Sequence, residues 1–306
     1  MQSTSITYDD LRSSIIAVPP LARRADLSLN DEENRKLIRH LEAGGIRTML
    51  YGGNANLYNI APSEYPKLLE FLATNTGANT IVVPSVGPFY GNIMDQAQML
   101  RGSGFPTAMI LPTLFPAKAA GIQTAVRHFV EKAGMPAVIY LKDESYLSPE
   151  AAAQLVNEGL VSWIKYAIVR EDESVDPYLS KLVDLVDCKI IVSGIGEQPA
   201  IVHLRDFKIT GFTAGCVCVA PALSMRFMQA IHAGDYARAE QLRVHFRALE
   251  DLRNGHGPIP VLHHAVTLAG IADMGPFLPL LAPLADSLQK QIQTTAQTLL
   301  ALNTQA

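Results

Sequence analysis

Eight short runs rich in Val, Ile, Thr and Tyr recur along the chain, each followed by a helix-like segment, and this repetition constrains the fold more than any other feature. They cover residues 15–19, 47–51, 80–84, 107–111, 136–141, 163–167, 189–193 and 211–214, with starts 22 to 33 residues apart. That pitch accommodates a strand, a loop, a helix and a return loop. Eight such units imply an α/β fold closed into a (β/α)8 TIM barrel. A doubly wound open sheet uses the same alphabet, but no G-x-G-x-x-G follows the first run.

Helix signals fall between the runs. Residues 30–43 read NDEENRKLIRHLEA, with a capping Asn and early acids ahead of Leu37, Ile38 and Leu41 on one face, and Gly44-Gly45 as a stop. Residues 63–75 open with Ser63 and Glu64, and Ser148-Pro149-Glu150 puts proline at the first helical position. Beyond Gly215 the chain reads as helical over 222–233, 236–252 and about 283–302. The first of these closes the barrel. Residues 1–235 are therefore expected to form the barrel and 236–306 a C-terminal helical extension packed on it, since no Gly/Ser linker intervenes.

Composition excludes several function classes. Of 306 residues, 48% are hydrophobic, and the formal charge is only −4, too apolar and too neutral for a disordered chain. There is no Lys/Arg run to attract nucleic acid or an anionic membrane. The N-terminal MQSTSITYDDLRSS has neither a basic nor an apolar signal region, and no apolar stretch approaches the ~20 residues of a membrane span. A soluble cytoplasmic protein is expected. Cys188, Cys216 and Cys218 lack the further ligands of a zinc site, so reduced thiols and no metal are expected.

Active sites of such barrels lie at the C-terminal ends of the strands. Lys165 there is the one ammonium in the apolar run Trp163-Ile164-Lys165-Tyr166-Ala167-Ile168-Val169. A buried ammonium is costly unless paired or neutralised. Alternation puts Trp163, Lys165 and Ala167 on one face and Ile164, Tyr166 and Ile168 on the other, so one face must point into the barrel. Near pH 7 an ordinary lysine is neutral ~1 time in 2,500, and low-dielectric burial supplies the depressed pKa that a nucleophilic amine needs. The bland alternative is a lysine that snorkels to the rim or pairs with an acid.

Tyr140 ends the preceding run, where a phenol could shuttle protons for an amine, although strand-end tyrosines often only pack. Lys142 is a rival amine beside Asp143 and Glu144, which favour its charged form. After the second run, Gly52-Gly53-Asn54-Ala55-Asn56 could bring backbone N–H groups and an amide to a carboxylate, or could be an ordinary turn. Ser193-Gly194-Ile195-Gly196-Glu197 looks like a phosphate loop, but Glu197 and the lack of a nearby cation argue against that. Thr213 on the eighth run completes the substrate-binding candidates. His263-His264 and Glu171-Asp172-Glu173 read as packing and solvated residues.

Taken together these positions resemble the dihydrodipicolinate synthase and N-acetylneuraminate lyase superfamily of class I aldolases, from Val18-Pro19-Pro20 to Gly257-Pro258-Ile259-Pro260-Val261. The resemblance implies that Lys165 is a Schiff-base lysine and Tyr140 a proton-relaying tyrosine. It also implies that residues 52–56, including Gly52, Gly53 and Asn54, hold the carboxylate of a pyruvate-like substrate. Departures accompany it. Gly53 and Asn54 replace two hydroxyl residues and Asn56 replaces an acid. Thr113-Leu114-Phe115 lacks the tyrosine that a neighbouring subunit usually donates. No arginine follows Tyr140 to hold a second substrate, and Tyr166 replaces the acid common after the lysine. Dihydrodipicolinate synthesis itself is therefore not expected.

The expectation is a Schiff-base lyase, an aldolase or dehydratase acting on a 2-oxo acid or 2-keto-3-deoxy acid without metal or organic cofactor. The resemblance implies a homotetramer, often a dimer of dimers. The alternative is a barrel that binds a small carboxylic acid without turnover.

Overall fold

The computed structural model describes residues 1–304. Its eight strands are β1 Ile16–Ala17, β2 Thr48–Tyr51, β3 Ile81–Val86, β4 Ala108–Ile110, β5 Ala137–Leu141, β6 Val161–Tyr166, β7 Ile191–Ser193 and β8 Gly211–Ala214. They close in sequence order into one barrel, every neighbouring pair parallel, with β1 joined to β8 through Ile16 opposite Thr213. All eight expected runs are strands. Helices cover the outside, so most strand residues are buried on both faces and read as continuous apolar runs rather than an alternation.

Ahead of β1 lies α1 Tyr8–Ser13; between successive strands lie α2 Asp31–Ala43, α3 Tyr65–Asn75, α4 Tyr90–Leu100, α5 Ala119–Ala133, α6 Pro149–Asn157, α7 Pro177–Leu185 and α8 Ala200–Asp206. Asn30 caps α2 by accepting from Glu33 N, and Ser148 caps α6 by accepting from Ala151 N at 3.2 Å. The expected start at Ser63 is displaced. Helix α3 begins at Tyr65 and has no side-chain cap, because residues 61–64 form a preceding turn in which Ala61 O accepts from Glu64 N. The short α1, unread in the sequence, is held by a capping box between Thr7 and Asp10.

After β8 come α9 Pro221–His232, α10 Tyr236–His256, α11 Pro258–Leu268 and α12 Asp286–Thr304. Helix α11 falls between the helical segments read at 236–252 and 283–302, and it opens with Pro258 and Pro260. Both fall in its first turn, where no intrahelical N–H is required. These helices press closely on the barrel. A Cβ on Gly215, just past β8, would come within 2.2 Å of Leu262 on α11. One on Gly44 would come within 2.4 Å of Pro221 on α9. Helix α12 returns along α9, where Asn303 accepts from Leu223 N at 3.0 Å. Helix α10 docks on the loop after β7, where Gln198 Nε2 donates to Asp251 at 2.9 Å.

Candidate active site

Lys165 sits near the C-terminal end of β6, in register with Tyr140 on β5 and Val192 on β7. Its face of the strand points inward. Lys165 and Ala167 line a cavity of about 440 Å³ at the barrel mouth, whereas Tyr166 faces outward and its hydroxyl donates to Asp176 at the start of α7. Lys165 is only 6% exposed, and among the described residues no carboxylate pairs with it. Burial, then the charge of Arg253, then that of Lys142 push its pKa down to about 7. The snorkelling and ion-paired alternatives therefore fail. A large fraction of this amine is neutral near pH 7.

The close fit around the lysine depends on Gly194. A Cβ there would come within 2.9 Å of Lys165 Cγ and 2.8 Å of Ala167 Cβ. From the other side the amine lies over the Tyr140 ring, with Nζ 4.3 Å from the ring centroid. The contact is with the aromatic face rather than the hydroxyl. Burial raises the Tyr140 phenol to about 12, against an opposing effect of Arg253, so it stays protonated at neutral pH.

Asn54 and Thr213 also line the cavity, so four of the six expected site residues meet there. Gly52 and Gly53 do not border it. Gly52 is a packing glycine, since a Cβ would come within 2.7 Å of Met109 Cε and 2.8 Å of Ser85 Oγ. The carbonyls of Gly52 and Gly53 accept from Leu57 and Asn56 within a turn. Asn54 uses its amide N–H to hold Val18 O at 3.0 Å. Lys142 lies exposed at the cavity rim.

Sequence reasoning missed Arg170 after β6, and Arg253 and Asn254, which α10 carries into the cavity wall. One signal was present for Arg253: it continues the buried stripe Leu242, Phe246, Leu249 of an amphipathic helix, where an apolar residue is the norm. Arg253 Nη2 donates to Ile195 O at 2.7 Å. Behind the same loop, Glu197 and Glu250 are both fully buried. Glu250 Oε1 accepts from Glu197 N at 2.8 Å, and the two side-chain carboxyls share a further hydrogen bond. Burial raises both pKa values, and the charge of Glu250 pushes Glu197 further up.

Outside the sheet a polar brace backs the lysine strand. Asp176 receives Tyr166 and Arg170, the latter at 2.9 Å, and caps α7 through Leu179 N. Arg170 also pairs with Glu144 at 2.5 Å. Ser193 Oγ meets His203 Nδ1 at 2.8 Å, and burial lowers His203 to about 4, which keeps it neutral.

No helix is long and apolar enough to cross a membrane, and no cluster of metal-ligating side chains occurs, among the described residues.

No family model matches the chain. It is 24% identical over 295 residues to a probable 5-dehydro-4-deoxyglucarate dehydratase of Streptomyces avermitilis, covering 91% of this chain and 90% of that one. It is 25% identical over 290 residues to a protein described in the same way from Xanthobacter autotrophicus, covering 90% and 91%. Among solved structures, dihydrodipicolinate synthase from Bacillus clausii superposes with a TM-score of 0.84 at 18% identity over 95% of this chain and 99% of that one. A prophage protein of the dihydrodipicolinic acid synthase family from E. coli K12, solved in complex with pyruvate, gives 0.81 at 17% identity over 93% and 98%. The chain is thus similar in sequence to these dehydratases along nine-tenths of its length, and it shares the fold of these synthases.

Proposed function

We propose that the chain is a Schiff-base-forming lyase that dehydrates a 2-keto-3-deoxy acid, with Lys165 as nucleophile. The observation that carries this reading is a buried, unpaired amine with a pKa near 7 in the wall of a strand-end cavity. Dehydration is favoured over aldol cleavage because the sequence relatives are named for the dehydration of a keto-deoxy acid.

The neutral Lys165 Nζ attacks the keto carbon. The carbonyl oxygen takes protons and leaves as water, giving an iminium. The iminium accepts the electron pair left when a proton departs from the adjacent carbon. Expulsion of the hydroxyl on the next carbon, with a proton, completes the loss of water, and hydrolysis of the conjugated iminium frees the lysine. Tyr140, protonated at neutral pH, is the group assigned to proton movement, and Asn54 and Thr213 to the head of the substrate.

Borohydride added with pyruvate should fix a reduced adduct at Lys165, located by peptide mass, with a trapping rate that rises with pH toward a plateau above about 7. No adduct with any of a series of 2-oxo acids would sink the Schiff-base reading and leave the acid-binding barrel, which ligand-induced thermal stabilisation without turnover would support.

We also assign the protein to the cytoplasm, where its three free cysteines stay reduced, and to a homodimer or dimer of dimers. Leu114 and Phe115 stand 54% and 84% exposed beside an apolar cavity of about 530 Å³ between α4 and α5. A knob and a hollow on one face are self-complementary under two-fold symmetry.

A further inference from the structure

We propose that Glu250 is a positioning residue for Lys165: it holds the loop after β7 and Arg253 beside the amine, and its negative charge, shared with Glu197 through one proton, offsets the guanidinium that borders the lysine cavity. The inference rests on the Schiff-base reading and deepens it, because it concerns what prepares the nucleophile rather than what the site binds.

The loop after β7 is gripped from two sides. On the barrel side Gly194 N donates to Tyr166 O at 2.5 Å, and Gly194 lies where a Cβ would come within 2.9 Å of Lys165 Cγ. On the helix side α10 takes hold of the residues that follow. Arg253 Nη2 donates to Ile195 O at 2.7 Å, Glu250 Oε1 accepts from Glu197 N at 2.8 Å, and Asp251 accepts from Gln198 Nε2 at 2.9 Å. The loop therefore carries the placement of α10 to the stem of the lysine.

Between these anchors Gly196 adopts φ +106°, a conformation that favours glycine, and a Cβ on it would lie 2.2 Å from Glu250 Oε1 and 3.2 Å from Arg253 Nη1. Acid and guanidinium thus close on the same residue. No ion pair joins them among the described residues, and Arg253 Nε has no partner. The acid acts on the guanidinium through space.

Glu197 and Glu250 are both fully buried, and the proposed chemistry uses neither. Two adjacent buried carboxylates would be costly, and a hydrogen bond between two carboxyls requires a proton. The pair therefore carries one proton and one negative charge. The charge lies on Glu250, which accepts a backbone N–H and stands beside the guanidinium, and the proton lies on Glu197.

The other ionisable groups around Glu250 are Arg243 on its own helix and the Cys216 thiol after β8, which burial keeps protonated. Those around Lys165 are Arg253, Lys142 and Tyr140. Arg170 and Glu173 also border the cavity, Arg170 being committed to Asp176 and Glu144. Arg253 acts on both the amine and the acid pair, which links the two.

The test is the pH profile of borohydride trapping with pyruvate. The wild-type midpoint should lie at about 7. Glu250→Gln keeps an oxygen for Glu197 N and removes the charge, so the midpoint should fall by about half a unit or more, the scale of one charge across a partly buried site. Glu197→Gln replaces one neutral group by another, so the midpoint should stay close to that of the wild type. Arg253→Gln, which keeps a donor for Ile195 O, should raise it. If Glu250→Gln does not fold, the double variant Glu250→Gln/Arg253→Gln carries the test, with a midpoint about half a unit or more below that of Arg253→Gln alone. A pair that serves only for packing would move both glutamine variants alike. Equal midpoints in Glu250→Gln and Glu197→Gln, or in the double variant and Arg253→Gln, overturn the assignment and leave the Schiff-base reading standing. Absence of any pyruvate adduct in the wild-type protein removes that reading, and this one with it.

Discussion

Lys165 was legible because an ammonium inside an apolar strand conflicts with its surroundings, and such conflicts concentrate at functional sites. The burial that activates it also destabilises the fold, and the sign can be worked out. Its pKa is about 7 when folded, against an ordinary lysine value of 10.5 in the unfolded chain. The unfolded chain therefore binds the extra proton between those values, and wild-type stability rises with pH across that window. The penalty is fully present below pH 7 and disappears as pH approaches 10.5. Lys165→Met should accordingly raise Tm by roughly 5–10 °C at pH 7, with the difference shrinking steadily toward pH 10. Calorimetry across this range checks it; a constant difference would mean that the lysine is not neutralised by burial. Arg253 was not legible in the same way, since an arginine near a helix end is ordinary. Its place in the cavity wall depends on the loop that the helix meets, which local sequence does not encode.

At the scale of elements, strand identity and helix caps followed from local chemistry. Asn30 and Ser148 cap the helices expected of them, and the eight apolar runs are the eight strands. Glycines were harder to read, because one residue type serves both for turns and for close approach. Gly52 and Gly53, read as a carboxylate cradle, belong to packing and a turn, whereas Gly194, set aside with a rejected phosphate loop, fixes the space beside the lysine. Gly194→Ala would force its methyl against Lys165 Cγ and Ala167 Cβ. Overpacking of this kind costs ~1–3 kcal/mol, and the displaced amine should be trapped by borohydride at least ~10-fold more slowly. An unchanged trapping rate would show that the stem of the lysine can yield without losing its aim.

The whole molecule makes the extension part of the site. The sequence suggested helices lying against the barrel; the structure also brings Arg253, Asn254 and Pro258 to the mouth, anchored through Ile195, Glu197 and Gln198. Assembly belongs to this scale too. Phe115→Glu would put a charge on the most exposed aromatic side chain of the α4–α5 face. Sedimentation should show the wild-type protein as a dimer or larger and this variant shifted toward the monomer. An unaltered distribution would place the interface elsewhere.

By itself the sequence determined the barrel, because strand and helix periodicities and their pitch are local properties repeated eight times. It also singled out Lys165, because burial of a charge shows in the composition of a single strand. Only the tertiary structure decided that Lys165 faces a cavity shared with Arg253, that the amine lies over the ring of Tyr140, and that Glu197 and Glu250 are buried against one another. Those facts depend on distances between residues far apart in the chain, and burial, Coulomb interaction and hydrogen bonding respond to distance in space.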